Sequence, residues 1–489
     1  MRKKILGSIA AFAAGAASAL GQGPGMPPPM PIGPGGSAGM PSAMEAMPNG
    51  PGMPAQGMGM AGPGMGMGMG GPGMGGPAMA GYGDPSGGMG GGMPGYPAGT
   101  HGQQAWTPPF TDPQGINARF APRAFVTFDY LLGFVKSQNA AFPFVTTSAP
   151  LAGGILGNTS TYVLYAQGDL GVGSLNGARI TGGLWSDEAR RYGYYMSGFF
   201  TEFKSRTFET ASDPSGQPLL ARPFVNAATG NPDVLLVSFP TYLSGNVRVS
   251  NGSQVYGIEG GPMVNLYRSC PEDMCLWSVN LLTAFRYLDI REELHIDQSS
   301  TLVGNSTAAF DGKLYGAGAV IGLSDRFDTY NRFYGGQIGL NTELRMNRFF
   351  LNATGKVAIG VVNQRMDISG TSTLQSPGSP NVSVIQAGLY ANATNNGRYS
   401  QDKFGVVPEV GVNLGYSLRS WLTASVGYNF LYLNSVVRPS EQYSTTINPS
   451  VVPLSAGYGA SNGVVTPNPA GNTTDFFFQS INFTIAVRY

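Results

Sequence analysis

The last stretch of the chain constrains the fold more than any other. Ile481, Phe483, Ile485, Val487 and Tyr489 share one parity, and Asn482, Thr484, Ala486 and Arg488 share the other. That is the period of a strand with an apolar and a polar face. The pattern recurs: Leu422, Ala424, Val426, Tyr428, Phe430 and Tyr432 oppose Thr423, Ser425 and Asn429, while Phe349, Leu351, Ala353, Val357, Ile359 and Val361 oppose Asn352, Thr354 and Lys356. In order, the predicted strands are Phe125–Phe134, Ala178–Trp185, Tyr192–Phe203, Gln254–Tyr267, Leu276–Leu294, Arg332–Arg345, Phe349–Val362, Phe404–Tyr416, Trp421–Tyr432 and Phe476–Tyr489. Connections near Asp187, Pro271, Asn347 and Arg419 are short. Those beginning after Val135, Lys204, Asp297, Asp367 and Asn434 read as loops of roughly 30 to 50 residues, and this alternation of short turns and long loops is the pattern of a transmembrane barrel.

The expected fold is therefore all-β: an antiparallel up-and-down transmembrane β-barrel of about ten strands. Twelve would result if Leu235–Phe239 and Val247–Val249 paired as a membrane hairpin, but Pro240 interrupts that stretch and favours ten. An even count puts both ends of the barrel domain on the short-turn side. A soluble β-sandwich alternates too, so other features must decide. After residue 20 no apolar run is long enough for a membrane helix, and lipid admits only helices and closed barrels. Tyr267, Trp277, Tyr416, Trp421 and Tyr432 end apolar faces as an aromatic girdle would. Charged residues make up only 11% of the chain, against about 25% in a typical soluble domain. A net charge of +1 gives no footprint for nucleic acid.

Ahead of the barrel lie two segments of a different kind. Arg2, Lys3 and Lys4 precede an apolar run from Ile5 to Ala17, and Ala17-Ser18-Ala19 supplies small residues for cleavage, so 1–19 reads as a signal peptide. Residues 20–118 are dominated by Gly, Pro, Met and Ala, too poor in core-forming residues to fold, and are expected to be a disordered periplasmic tether. Thioethers of Met58, Met60, Met65, Met67 and Met69 are soft enough for Cu(I). A flexible tether that tolerates Met is the simpler reading, and no metal site or cofactor is expected. The barrel domain is 119–489.

The barrel portion resembles the outer-membrane β-barrel porins numerous in planctomycete-type bacteria. The resemblance runs through Tyr130-Leu131-Leu132, Leu220-Ala221-Arg222-Pro223-Phe224, Val237-Ser238-Phe239-Pro240 and Phe285-Arg286-Tyr287-Leu288. It continues through Phe327-Asp328, Phe333-Tyr334-Gly335-Gly336-Gln337-Ile338-Gly339, Gly355-Lys356-Val357-Ala358-Ile359-Gly360, Val407-Pro408-Glu409-Val410-Gly411-Val412-Asn413 and Val436-Val437-Arg438-Pro439. It implies a barrel fold, the bacterial outer membrane, and a porin-like role.

Parity places Asp129, Arg179, Glu259, Arg286, Glu343, Arg345, Lys356, Glu409 and Arg488 on the lumen face. Mixed signs at buried positions suggest paired side chains in a plugged or narrow interior, with a small-solute or ion pathway as the other possibility. Cys270 and Cys275 flank a predicted periplasmic turn and are a disulfide candidate in an oxidising compartment. Phe483, Ile485, Val487 and Tyr489 form a C-terminal signal for barrel-assembly machinery. Outer-membrane lipid is the other expected partner, and the tether offers a possible periplasmic contact. His295, near Glu292, Glu293 and Asp297 where the fifth predicted strand meets a long loop, is the only residue suggesting a barrel-mouth hydrolase. A solvated strand end explains it more simply, so no enzyme is expected. The functional expectation is passive transport or a surface-structural role, with a non-conducting barrel that binds through its loops as the alternative.

Overall fold

A computed structural model describes residues 123–187, 189–269, 275–460, 466–467 and 471–489. Ten antiparallel strands close into one barrel: β1 (Ala124–Val135), β2 (Ser174–Trp185), β3 (Tyr192–Thr201), β4 (Leu243–Arg268), β5 (Cys275–Leu302), β6 (Val320–Met346), β7 (Phe349–Gln375), β8 (Gly397–Arg419), β9 (Leu422–Val437) and β10 (Thr473–Arg488). Each strand pairs with its chain neighbours. β1 pairs with β10 from Phe125↔Arg488 to Val135↔Phe478, which closes the ring. The count is ten, not twelve: Leu235 lies in a separate sheet, and Val247 and Val249 belong to the long β4. At Asn347, between β6 and β7, the turn takes φ 54°, a left-handed conformation that Asn tolerates.

The strands correct the sequence expectation in one respect. β5 runs 28 residues and β6 and β7 27 each, so much of what read as loop is wall. β3 also continues: Lys204–Ala211 pairs with Asn246–Ser253 after a one-residue shift. At the shift the Thr201 hydroxyl accepts from the Val255 N–H at 3.0 Å and donates to its carbonyl at 3.2 Å. A side chain thereby replaces ladder bonds that the bulge removes.

The outer surface explains where lipid begins and ends. Ile338, Leu340, Ile359, Val410, Leu414 and Ile485 are exposed on it. At the short-turn end, Tyr267 packs edge-on against Trp277 at 5.5 Å and Phe349 against Tyr416 at 5.1 Å. At the long-loop end Tyr287 packs against Tyr256 and Tyr334, and the first outward charges, Asp289 and Arg332, pair just beyond. From Trp277 to Tyr287 is ten residue steps. At about 3.4 Å per step and a tilt of about 40°, the band is about 26 Å tall, the height of a barrel's apolar belt.

Above the belt the wall encloses folded loop. Leu219–Asn226 pairs with Pro232–Ser238 and with Val145–Ser148, which pairs with Thr161–Tyr165; Thr446–Ile447 adds to Leu219–Asn226 in parallel. Phe144, Leu220, Phe224 and Val237 from this cap pack against Val247, Ile296, Leu323 and Phe327 of the wall. The loop between β7 and β8 approaches the wall so closely at Gly370 that a Cβ there would sit 1.7 Å from the Ala391 carbonyl oxygen. No larger residue fits without moving the backbone.

Candidate functional site

The barrel interior is stacked in layers, and the charged residues assigned to the lumen by parity fall in two of them. Nearest the short turns, Glu343 pairs with Arg345 at 2.9 Å and with Arg488 at 3.2 Å. Arg345 also donates to Ser417 Oγ at 2.7 Å. Both guanidiniums stand over the Phe350 ring. Arg190, in the turn between β2 and β3, reaches the same chamber. Burial and the proximity of Arg268 and Arg488 pull its guanidinium down to about 9.

Above lies a chamber of about 320 Å³, lined by amides and hydroxyls such as Thr127, Ser197, Asn280, Asn352 and Asn482. Asn341 donates to Asn352 at 3.1 Å and to Thr354 at 2.8 Å, so part of this lining is already satisfied by itself.

The next layer crosses the lumen. Lys356 on β7 reaches Glu259 on β4 at 2.8 Å and Glu409 on β8 at 3.2 Å. Arg286 on β5 reaches Glu409 at 2.6 Å and Glu259 at 3.6 Å. The four side chains form a closed quadrilateral of alternating sign. Two of its sides, β4 to β7 and β5 to β8, are chords between strands three apart in the ring, possible only where the interior is narrow. Arg286 also donates to Gln337 at 2.9 Å, and Gln337 to the Tyr195 hydroxyl at 3.2 Å. Asp129 and Arg179 sit beside the quadrilateral, 3.9 Å apart. Each of the nine lumen charges assigned by parity thus has a partner of opposite sign, without which burial would be prohibitive.

Immediately beyond, the inward residues turn apolar. Val255, Leu288, Ile290, Phe333, Val362 and Phe478 are among twelve buried residues that pack into one cluster there. The Phe478 ring stacks on Phe199 at 5.9 Å. Over this stopper come two further ion pairs. Arg438, following β9, grips Glu292 of β5 through two bonds of 2.8 and 2.6 Å, and donates to the Lys136 and Ser137 carbonyls. Arg222 of the cap pairs with Asp325 of β6, both fully buried. The same carboxylate accepts from the Tyr390 and Ala391 N–H groups at 2.9 and 2.8 Å. The Tyr390 ring lies 4.9 Å from the Arg222 guanidinium, a cation–π contact strengthened by burial.

These latches were not assigned from sequence, although Arg222 and Arg438 lie in stretches that carry the family resemblance. Their partners are 103 and 146 residues away along the chain, and no local spacing announces such a pair. His295 does not stand at a strand end. It lies within β5, on the outer wall, with Nε2 2.9 Å from Asp328. Cys270 lies outside the described residues, and of Cys275 only the backbone, opening β5, is described. The signal-peptide and tether residues, and the tether methionines, also lie outside them. On β10, Phe483 and Ile485 are exposed on the outer face, and Tyr489 exchanges backbone hydrogen bonds with Ala124 beside the closing seam.

The closed ring, the apolar belt between two aromatic girdles and the stacked interior define a ten-stranded transmembrane β-barrel. Residues 125–489 match the model of the family described as Putative beta barrel porin-7 (BBP7), and the chain belongs to that family. No curated protein matches the chain. Among solved structures, the outer membrane protease OmpT from Escherichia coli aligns over 75% of this chain and 97% of its own at 10% identity, with a TM-score of 0.32. The toluene transporter TodX of P. putida aligns over 75% and 89% at 9% identity, with a TM-score of 0.17.

Proposed function

We propose that this chain is a bacterial outer-membrane barrel that is closed to solutes as it stands, and that its work is done by the wall and cap it raises beyond the membrane. One observation carries the proposal: the salt-bridged quadrilateral is overlain by a cluster of twelve buried apolar side chains drawn from strands around the ring. An ion crossing it would shed its water against Phe333, Phe478 and their neighbours, and a hydrophobic constriction of this kind blocks by dewetting. Lipid covers the belt, assembly machinery reads the β10 terminus, and the cap faces outward as a non-enzymatic binding or structural surface.

The 320 Å³ chamber favours a second reading, in which the short-turn half is an entry vestibule and the upper layers rearrange to pass a small solute. Single-channel recording of the refolded chain in a planar bilayer separates the two. The closed barrel gives no current steps after verified insertion, and deletion of the cap together with Phe333→Gly and Phe478→Gly introduces them. Steady steps from the unaltered chain overturn the proposal.

A further inference from the structure

On the outer wall, beyond the girdle, Glu293 and His295 of β5 and Asp328 of β6 gather on one face. Their potential ligand atoms all lie within 4.8 Å of one another, and His295 Nε2 is already 2.9 Å from an Asp328 oxygen. Strand register sets Glu293 directly opposite Asp328, and like charges so opposed repel. The nearby guanidiniums also make contacts outside the cluster. Arg326 donates to Ser324 Oγ at 3.3 Å and lies 4.0 Å from Asp297. Arg291 stands over the Phe203 and Tyr330 rings, and Arg365 is held by Asp367. Two carboxylates and one imidazole therefore face one another at the β5–β6 register.

We propose that Glu293, His295 and Asp328 form a site for a divalent transition-metal ion, with zinc the best match to the donor set. One imidazole and two carboxylates suit zinc, whereas the imidazole nitrogen disfavours calcium and magnesium, which take oxygen. Metal–ligand bonds of about 2.0–2.1 Å put tetrahedral ligands about 3.3 Å apart. The His295–Asp328 contact must open by about 0.4 Å, and the widest separation must close by at most about 1.5 Å, movements within side-chain rotation. The backbone needs no change, because β5 is paired with β4 on one side and β6 on the other along this stretch. Three protein ligands leave a fourth position toward solvent, open to water or to a donor from another molecule. The site uses only the outer wall, so it stands or falls independently of whether the lumen conducts.

The test is calorimetric titration of zinc chloride into the full-length, folded protein after removal of metal by a chelator. One zinc binds the parent at this site. His295→Ala, Asp328→Asn and Glu293→Gln each weaken it at least about tenfold, while His101→Ala leaves it unchanged. Heat-modifiable gel mobility verifies that each variant is folded. A zinc-induced rise in melting temperature, present in the parent and lost in His295→Ala, is the second readout. Absence of binding to the folded parent overturns the proposal. So does binding that survives His295→Ala, or that disappears with His101→Ala.

Discussion

Replacing Arg286 with Met keeps roughly the length of the side chain and removes one corner of the quadrilateral. Glu259 and Glu409 then share Lys356 alone, two buried anions against one cation. With charge centres about 4 Å apart and an effective dielectric of about 20, one such pair carries about 4 kcal/mol of Coulomb attraction. Arg286 makes two, at N–O distances of 3.6 and 2.6 Å, so the gross loss is about 8 kcal/mol. Rehydrating the guanidinium in the unfolded chain is no longer forgone, which returns part of this, and the expected net cost is about 3–5 kcal/mol. Glu409→Gln leaves the converse excess of positive charge and costs a similar amount. The double variant restores one cation facing one anion, so its cost falls short of the sum by about 1–3 kcal/mol. Equilibrium urea unfolding in lipid vesicles, followed by the fluorescence of Trp185, Trp277 and Trp421, measures all three. Additive costs, or a cost below about 1 kcal/mol for Arg286→Met, would refute the view that these four charges act as one closed unit.

Three further tests address the upper wall. Asp325→Asn breaks the latch on the cap, and about 3–5 kcal/mol of local stability should go with it; limited proteolysis should then cut within Leu219–Ser238 while the barrel keeps its heat-modifiable mobility, and equal protection in parent and variant would count against a latch. Gly370→Val places a branched side chain against the Ala391 carbonyl and should displace the loop that precedes β8, read as faster amide exchange at 387–396. Burial pushes the Glu293 carboxyl above its ordinary value; His295 opposes this and Asp328 reinforces it. Because the folded value lies above the unfolded one, this group's contribution to stability is full below about pH 4 and is lost as pH rises through the folded value. Glu293→Gln should therefore raise the melting temperature of metal-free protein at pH 7 and leave it unchanged near pH 4, and a variant less stable at pH 7 would reverse the sign.

The membrane-facing part of the fold was legible because two different solvents lie on the two sides of the wall. Where β7 crosses lipid, Leu351, Val357 and Ile359 must be apolar and Asn352, Thr354 and Lys356 need not be, so parity shows directly. Beyond the girdle that contrast disappears. Along β6, Arg326, Asp328, Tyr330 and Arg332 face outward, while Asp325 and Phe327 face folded loops that are themselves both polar and apolar. A strand between two mixed environments has no hydropathy period, so it reads as loop. The quadrilateral shows the same limit from inside. Parity assigns each of Glu259, Arg286, Lys356 and Glu409 to the lumen, but only the ring closure brings β4 to β7 and β5 to β8. The metal-ligating cluster escaped for a related reason: Glu293 and His295 are visible as neighbours, but Asp328 joins them only through a register fixed by the full length of the β5–β6 hairpin.

The height of that hairpin bears on what the protein is built to do. Only Trp277 to Tyr287 of β5 is needed to cross the belt, yet the strand continues to Leu302. Fifteen further steps, at about 3.4 Å each and a tilt of about 40°, carry the wall about 39 Å beyond the membrane. On the closed-barrel reading proposed above, such a wall serves the cap rather than passage, since every added layer lengthens the path. The added wall is instead held rigid from within. Arg438 ties β5 to the loops after β1 and β9, Arg222 ties the cap to β6, and the cap sheet packs its apolar face on Val247, Ile296 and Phe327. Buried ion pairs contribute little net stability compared with apolar residues of the same volume, but they fix geometry, because each guanidinium is satisfied only in one position. A wall stiffened in this way keeps Glu293, His295 and Asp328 in register far from the lipid, which is what a surface site borne on strands requires.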